Sequence, residues 1–157
     1  MVWVSSGNDR NSTIGELPDI AAIFDALYQS LWTQPHLPPE ILELCRLRLA
    51  QLHQCAVEMQ RHDFAILAHQ RNNLAHWNTH SSFSAAERAC LAFTEVYAMD
   101  AQALTDEHAA AVKSQFGDAG LVLLVEALGI LDGMTRLSLL WQLPASTAQE
   151  ITKGNVL

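Results

Sequence analysis

Cys55, Glu58 and His62 stand three and four residues apart, so on a helix a thiol, a carboxylate and an imidazole share one column, each within reach of the next. A cysteine reacts as its thiolate, and its ordinary pKa of about 8.5 falls beside a protonated histidine or at a helix N-terminus. His62 and a helix beginning near Cys55 would each activate the sulfur. Glu58 works the other way, because a carboxylate disfavours a neighbouring thiolate, unless it binds His62 and holds that ring in a useful orientation. Taken alone, Cys55 reads first as a small buried hydrophobe and His62 as a satisfied core histidine.

The elements that must position this column are helical. Glycine and proline are few, and apolar residues recur at three and four without strand-like alternation. A first helix follows Pro18, with Ile20, Ile23, Phe24, Leu27 and Leu31 as one stripe, and stops before Gln34-Pro35-His36. Pro38 and Pro39 open a second, whose buried face is Ile41, Leu42, Cys45, Leu49 and Leu52. From Cys55 the spacing continues through Met59, His62, Ile66 and His69 along one side. Between the two stretches, His53-Gln54 breaks no helix by propensity, so one long helix and two shorter ones are both open. Arg71 to Ser82 is a polar connector. Ser84 with Glu87 forms a capping box for a helix reaching about Met99, Thr105 caps another ending near Gly117, and Asp118 opens the last, from Ala119 to about Trp141. Residues 1–16 read as a flexible polar tail and 17–157 as a single domain.

The run from Glu43 to His62, ELCRLRLAQLHQCAVEMQRH, resembles the signature of the carboxymuconolactone decarboxylase superfamily, in its alkylhydroperoxidase AhpD-like, peroxidase-related branch. That family carries a glutamate twelve residues before the first cysteine of a CxxC and a histidine four after the second, and Glu43, Cys55 and His62 match these positions. Glu58 replaces the second cysteine, and His53-Gln54 replaces the usual Asn-Gly. The resemblance continues through His76-Trp77, the helix start Phe83 to Arg88, and a polar interruption from Asp132 to Arg136, covering roughly Leu37 to Leu140.

The resemblance implies an orthogonal all-α bundle of about six helices, assembled as a homo-oligomer, a trimer or hexamer. It implies a thiol oxidoreductase of antioxidant type in which Glu43 and His62 relay a proton to and from Cys55 as a hydroperoxide is reduced, with Glu58 orienting His62. With one cysteine the cycle leaves a sulfenic acid at Cys55, and the resolving thiol comes from Cys45, Cys90 or an external thiol reductant. Along an unbroken helix Glu43 would lie about 18 Å from Cys55, so the relay requires a chain break near His53. Two alternatives follow from the missing cysteine. One is a cysteine-independent, carboxymuconolactone decarboxylase-type enzyme working on a carboxylated lactone with His62 and the two glutamates as acid and base. The other is a degenerate oligomeric scaffold or small-ligand binder. Apart from any relay, Glu43 would pair with Arg46 one turn on as a surface contact.

Bulk properties narrow the classes. The 157 residues carry a net charge of −8, with a pI near 5.2 and mean hydropathy of +0.09, which disfavours nucleic acid and anionic lipid as partners and leaves apolar surface for a second subunit. The start has no basic and apolar leader pattern, and Glu126, Asp132 and Arg136 interrupt the most apolar stretch, so a cytoplasmic location without a membrane span is expected. Three cysteines without a CxxC fit a reducing compartment. No cofactor is expected. His76 with His80, joined to Glu58 and His62, is the one metal arrangement that can be drawn, and chance pairing among seven histidines accounts for it as well.

Overall fold

The computed structural model describes residues 3–5 and 7–145; Met1, Val2, Ser6 and the end of the expected domain, 146–157, lie outside the described residues. Among those described there are seven α-helices and no strand: α1 (Arg10–Ile14), α2 (Pro18–Thr33), α3 (Pro39–Leu52), α4 (Ala56–Gln60), α5 (Ala68–Asn73), α6 (Ala85–Met99) and α7 (Asp106–Leu140). No helix among them is long and apolar enough to cross a membrane.

Local signals set most boundaries. Proline occupies the first position of α2 and of α3, where a missing N–H costs nothing. At the start of α6 the Ser84 N–H donates to Glu87 at 2.7 Å and the Glu87 N–H donates back to the Ser84 hydroxyl at 3.2 Å, the reciprocal cap expected there. Helical geometry is interrupted inside α7 at Gly117, whose φ of 68° is open to glycine at little cost, so α7 is a kinked rod of two helical segments that divide where the sequence divides them. Gly120 lets that rod close on its surroundings, since a β-carbon there would stand 3.2 Å from the His36 carbonyl oxygen.

α3 is the central element, packed on both α6 and α7. Every residue from Ile41 to Leu47 is buried, and Leu42, Leu44 and Leu49 lose all contact with solvent; each such leucine contributes roughly 1.5–3 kcal/mol. A helix buried on all sides has no wet face for its charges. Glu43 and Arg46, both in that run, must therefore be neutralised inside the protein, and this requirement shapes the site.

Two expectations are corrected, and the apolar stripe of α2 resolves into an inner and an outer set. The stretch expected as a tail contains α1, started by Asp9 accepting from the Ser12 N–H at 2.9 Å, and buries Arg10; a five-residue helix is too short to show periodicity. On α2, Ile20 and Ile23 are 57% and 69% exposed, and the face turned inward is Phe24, Tyr28 and Leu31, because a stripe marks a face but not what it meets. The connector from Arg71 is partly helical, through the end of α5 and a 3-10 turn at Leu74–His76 that buries Leu74. His76 and His80 lie in and after that turn, and among the described residues no group of three or more His, Cys, Asp or Glu side chains is placed to hold a metal ion.

Candidate active site

The chain does break at His53. α3 ends at Leu52, Gln54 takes a positive φ of 54°, and the Cys55 N–H reaches back to the Ala50 carbonyl at 2.9 Å, so that Cys55 becomes the residue before α4. His53 is fastened across to α7, its Nε2 lying 2.6 Å from Asp132, which also accepts from Arg136 at 2.7 Å. The polar interruption in α7 thus pins the turn.

Past α4 the chain departs from the expected column. α4 closes after Gln60 and Arg61 is extended, with φ −71° and ψ 152°, so His62 leaves the helix face that carries Cys55 and Glu58. Guanidinium groups cause the break. Arg46 donates to the carbonyls of Glu58 and Arg61, each at 2.9 Å, and Arg71 donates to those of Met59 at 2.7 Å and Arg61 at 3.0 Å. These carbonyls are satisfied by side chains, and the helix has no need of further N–H groups to continue.

At this end of α4 the charges form a closed set. Arg46 grips Glu43 through two hydrogen bonds, of 2.7 and 2.8 Å, with both side chains fully buried. The partner named for Glu43 is the expected one, but the pair is interior and not at the surface. Burial alone would lower the Arg46 pKa, and the hydrogen bonds and charge of Glu43 outweigh it, driving it upward. Glu58 accepts from Arg10 at 2.8 and 2.9 Å and from the Ser138 hydroxyl on α7. The Glu58 carboxylate is thus held by the N-terminal helix, and no hydrogen bond joins it to His62 among the described residues. Asp63 accepts from the Tyr28 hydroxyl and from Arg61 at 2.7 Å, with Arg46 at 3.5 Å. Burial raises the Asp63 carboxyl, and the Tyr28 bond with the charges of Arg46 and Arg61 more than reverse this, leaving it below the ordinary carboxylate value. Burial and the Asp63 charge push the Tyr28 phenol up to about 12, against the pull of Arg10, whose guanidinium lies 5.3 Å from the centre of that ring.

His62 is exposed and lines a cavity of about 420 Å³ together with Arg10, Phe24, Tyr28, Arg61 and Asp63. Cys55 is not in its wall. The sulfur sits at the other end of α4 in a residue 1% exposed. Burial raises its pKa, hydrogen bonds from the Glu58 and Val57 backbone oppose this, and the Glu58 charge adds to it, for a net upward shift. Cys45 and Cys90, the internal candidates for a resolving thiol, are fully buried; burial pushes Cys45 up to about 12 and Cys90 further still. Of the four candidate residues, then, Glu43 and Glu58 meet in one charge network, His62 opens on the adjoining cavity, and Cys55 stands apart. Tyr28, Asp63, Arg10 and Arg61 belong to the site and carried no sequence signal beyond the adjacency of Asp63 and Arg61 to His62.

This helix order and packing has counterparts among solved structures. One is a protein of unknown function from Agrobacterium tumefaciens, described as an AhpD candidate in antioxidant defence, with a TM-score of 0.75 and 17% identity over 94% of this chain and 99% of the other. The fold is AhpD-like. The debrominase Bmp8 superposes equally well, with a TM-score of 0.75 and 18% identity, both as a cysteine-to-alanine variant with 2,3,4-tribromopyrrole, over 92% of this chain and 80% of that one, and in its apo form, over 90% and 79%. No family model matches the sequence, and no curated protein matches it.

Proposed function

We propose that this AhpD-like protein is an acid–base enzyme of the carboxymuconolactone decarboxylase type, acting on a small carboxylated lactone or a related carbon acid at His62 without a thiol cycle. The observation that carries the reading is the separation of the two chemistries: His62 stands on the wall of a polar cavity beside an ionised carboxylate and a guanidinium, while the thiol is sealed off and its pKa raised. Loss of CO2 from a carboxylated lactone breaks a carbon–carbon bond and leaves its electron pair on the ring as an enolate. The His62 imidazolium delivers a proton to that carbon and recovers one from water; a positioned histidine contributes on the order of 10²–10⁴ in rate. Arg61 supplies positive charge where the enolate oxygen forms. Glu43 and Glu58 act as positioning residues, since Arg46 and Arg10 hold both carboxylates.

Turnover of a carboxylated lactone, followed by CO2 release, is expected to survive Cys55→Ala and to be lost in His62→Ala. Loss in Cys55→Ala, or absence of turnover with every such lactone, overturns the reading.

The rival keeps the thiol. It is favoured by the backbone hydrogen bonds to the Cys55 sulfur from the start of α4 and by the description of one structural neighbour as an antioxidant defence candidate. Hydroperoxide consumption with an external thiol reductant, dependent on Cys55 and lost in Cys55→Ser, would establish it; equal rates in the two proteins remove it. Under either reading the exposed Ile20, Ile23 and Leu27 of α2 are the apolar surface that a second subunit would cover.

A further inference from the structure

Besides the apolar face of α2, a second one runs along α7 beyond Gly117. Val122 is 61% exposed and Leu140 51%, and between them stand Glu126, Gly129, Gly133 and Arg136. At about 100° per residue, Val122, Gly129, Gly133 and Leu140 fall within roughly 40° of one another as one stripe, with Glu126 and Arg136 set about as far to its two sides. Among the described residues nothing covers the middle of this stripe, since a β-carbon added at Gly129 or Gly133 would meet no atom within 4 Å.

The stripe reads the same from either end. Val122 and Leu140 are equidistant in sequence from Leu131, and so are Glu126 and Arg136, and Gly129 and Gly133. Leu131 itself is buried, so the centre of the outer stripe is the gap between the two glycines. A twofold axis through that gap lays a second copy antiparallel to the first. Valine then meets leucine, glycine meets glycine, and Glu126 meets the partner's Arg136 at both ends. Arg136 gives its Nε to Asp132 and keeps two terminal nitrogens for a second carboxylate. From Ala119 to Trp141 the other charged residue is Asp132, which His53 and Arg136 already engage, so the stripe is locally neutral in a chain of net charge −8. α2 has no such pairing rule. Its charged residues are Asp19 and Asp25, both exposed, and two copies of that face would set acid against acid.

We propose that this stripe is a self-complementary contact, in which α7 of two copies packs antiparallel about a twofold axis. The glycines let the helix axes approach to roughly 8 Å, the near end of the usual range. The contact is separate from the chemistry at His62 and from any use of the α2 face. A twofold contact doubles whatever assembly the other faces build, so its loss halves the mass.

Sedimentation equilibrium of the full chain and of Gly129→Gln tests the contact. Glutamine is the better helix former and its β-carbon has open space, so the fold is kept, as circular dichroism would confirm, while the added side chain wedges the copies apart. The mass should fall by half. Direction and register are read with a short bismaleimide cross-linker, the three native cysteines being buried. The double variant Val122→Cys/Leu140→Cys should give a covalent dimer and neither single variant should, because in an antiparallel pair the two copies of position 122 stand about 27 Å apart along the axis, as do those of position 140. A wild type that is monomeric at every concentration overturns the proposal, and so does a mass unchanged in Gly129→Gln. Cross-linking of either single variant to itself, as parallel helices would give, or failure of the double variant to cross-link, overturns it as well.

Discussion

The two ends of α4, five residues apart in sequence, are chemically opposite. At its start Cys55 is dry and touched by backbone N–H groups, and burial with the Glu58 charge holds its proton more tightly than usual against the pull of Arg10. At its end the backbone is wrapped by guanidinium groups, three carboxylates are ion-paired, and the chain opens on a polar cavity. A reactive thiol needs positive charge and access to solvent. The positive charge is present, but it is gathered at the far end and engaged by carboxylates. α4 thus divides a buried thiol from polar chemistry.

The most severe way to break this contrast is to remove Arg46. Glu43 would be left buried without its two hydrogen bonds, and the carbonyls of Glu58 and Arg61 would lose their donor. Arg46→Leu is expected to lower unfolding free energy by about 3–5 kcal/mol, read from urea denaturation. The double variant with Glu43→Leu should recover a large part of this, because the stranded charge goes with its partner. A double variant as unstable as the single would show that the carbonyl bonds, and not the charge pair, hold the end of α4. Next in size is Arg10→Met, expected to cost about 1–3 kcal/mol, since Glu58 keeps Ser138 and the more distant Arg46. A cost near zero would return residues 7–16 to the status of a loosely attached tail.

How far the sequence foretells this site depends on the range of the interactions. The prolines at α2 and α3, the Ser84–Glu87 cap and the glycine bend at Gly117 are set by residues within one turn, and each is legible. The break at Arg61 is not, because the groups that satisfy its neighbours' carbonyls arrive from Arg46, fifteen residues back, and Arg71, ten residues ahead. By helical spacing alone His62 belongs beside Cys55, and only those two side chains move it into the cavity. Arg10 is harder still, since nothing in a polar N-terminal stretch says that one arginine will travel 48 residues in sequence to meet Glu58. α2 shows the complementary limit: its apolar residues mark several faces, and the choice of Tyr28 and Leu31 over Ile20 and Ile23 as the inward set is made by α1, the 61–63 segment and the core together.

Asp63 and Cys55 offer smaller and more discriminating tests, because their proton affinities shift in opposite directions. The Asp63 carboxyl is depressed in the folded protein, so its contribution to stability is fully present above the ordinary carboxylate value of 3.8 and is lost as pH falls through that value toward the depressed one. Asp63→Asn should be less stable than wild type at neutral pH, and the gap between the two should close as the solution is acidified. A gap constant with pH would mean that Asp63 is held by packing and not by its charge.

At the other end of the helix, the thiol pKa is raised from its reference value of 9.0, so thiolate is scarcer at every pH below that value than in free cysteine. Pseudo-first-order alkylation of a Cys45→Ala, Cys90→Ala double variant by iodoacetamide isolates Cys55. Its rate should lie at least about tenfold below that of free cysteine near neutrality, because burial limits both ionisation and access, and should rise on the alkaline side only beyond the range where free cysteine has levelled off. A rate above that of free cysteine would place positive charge and solvent at the start of α4 after all. The contrast between its two ends would then collapse, and the thiol would regain its claim on the chemistry.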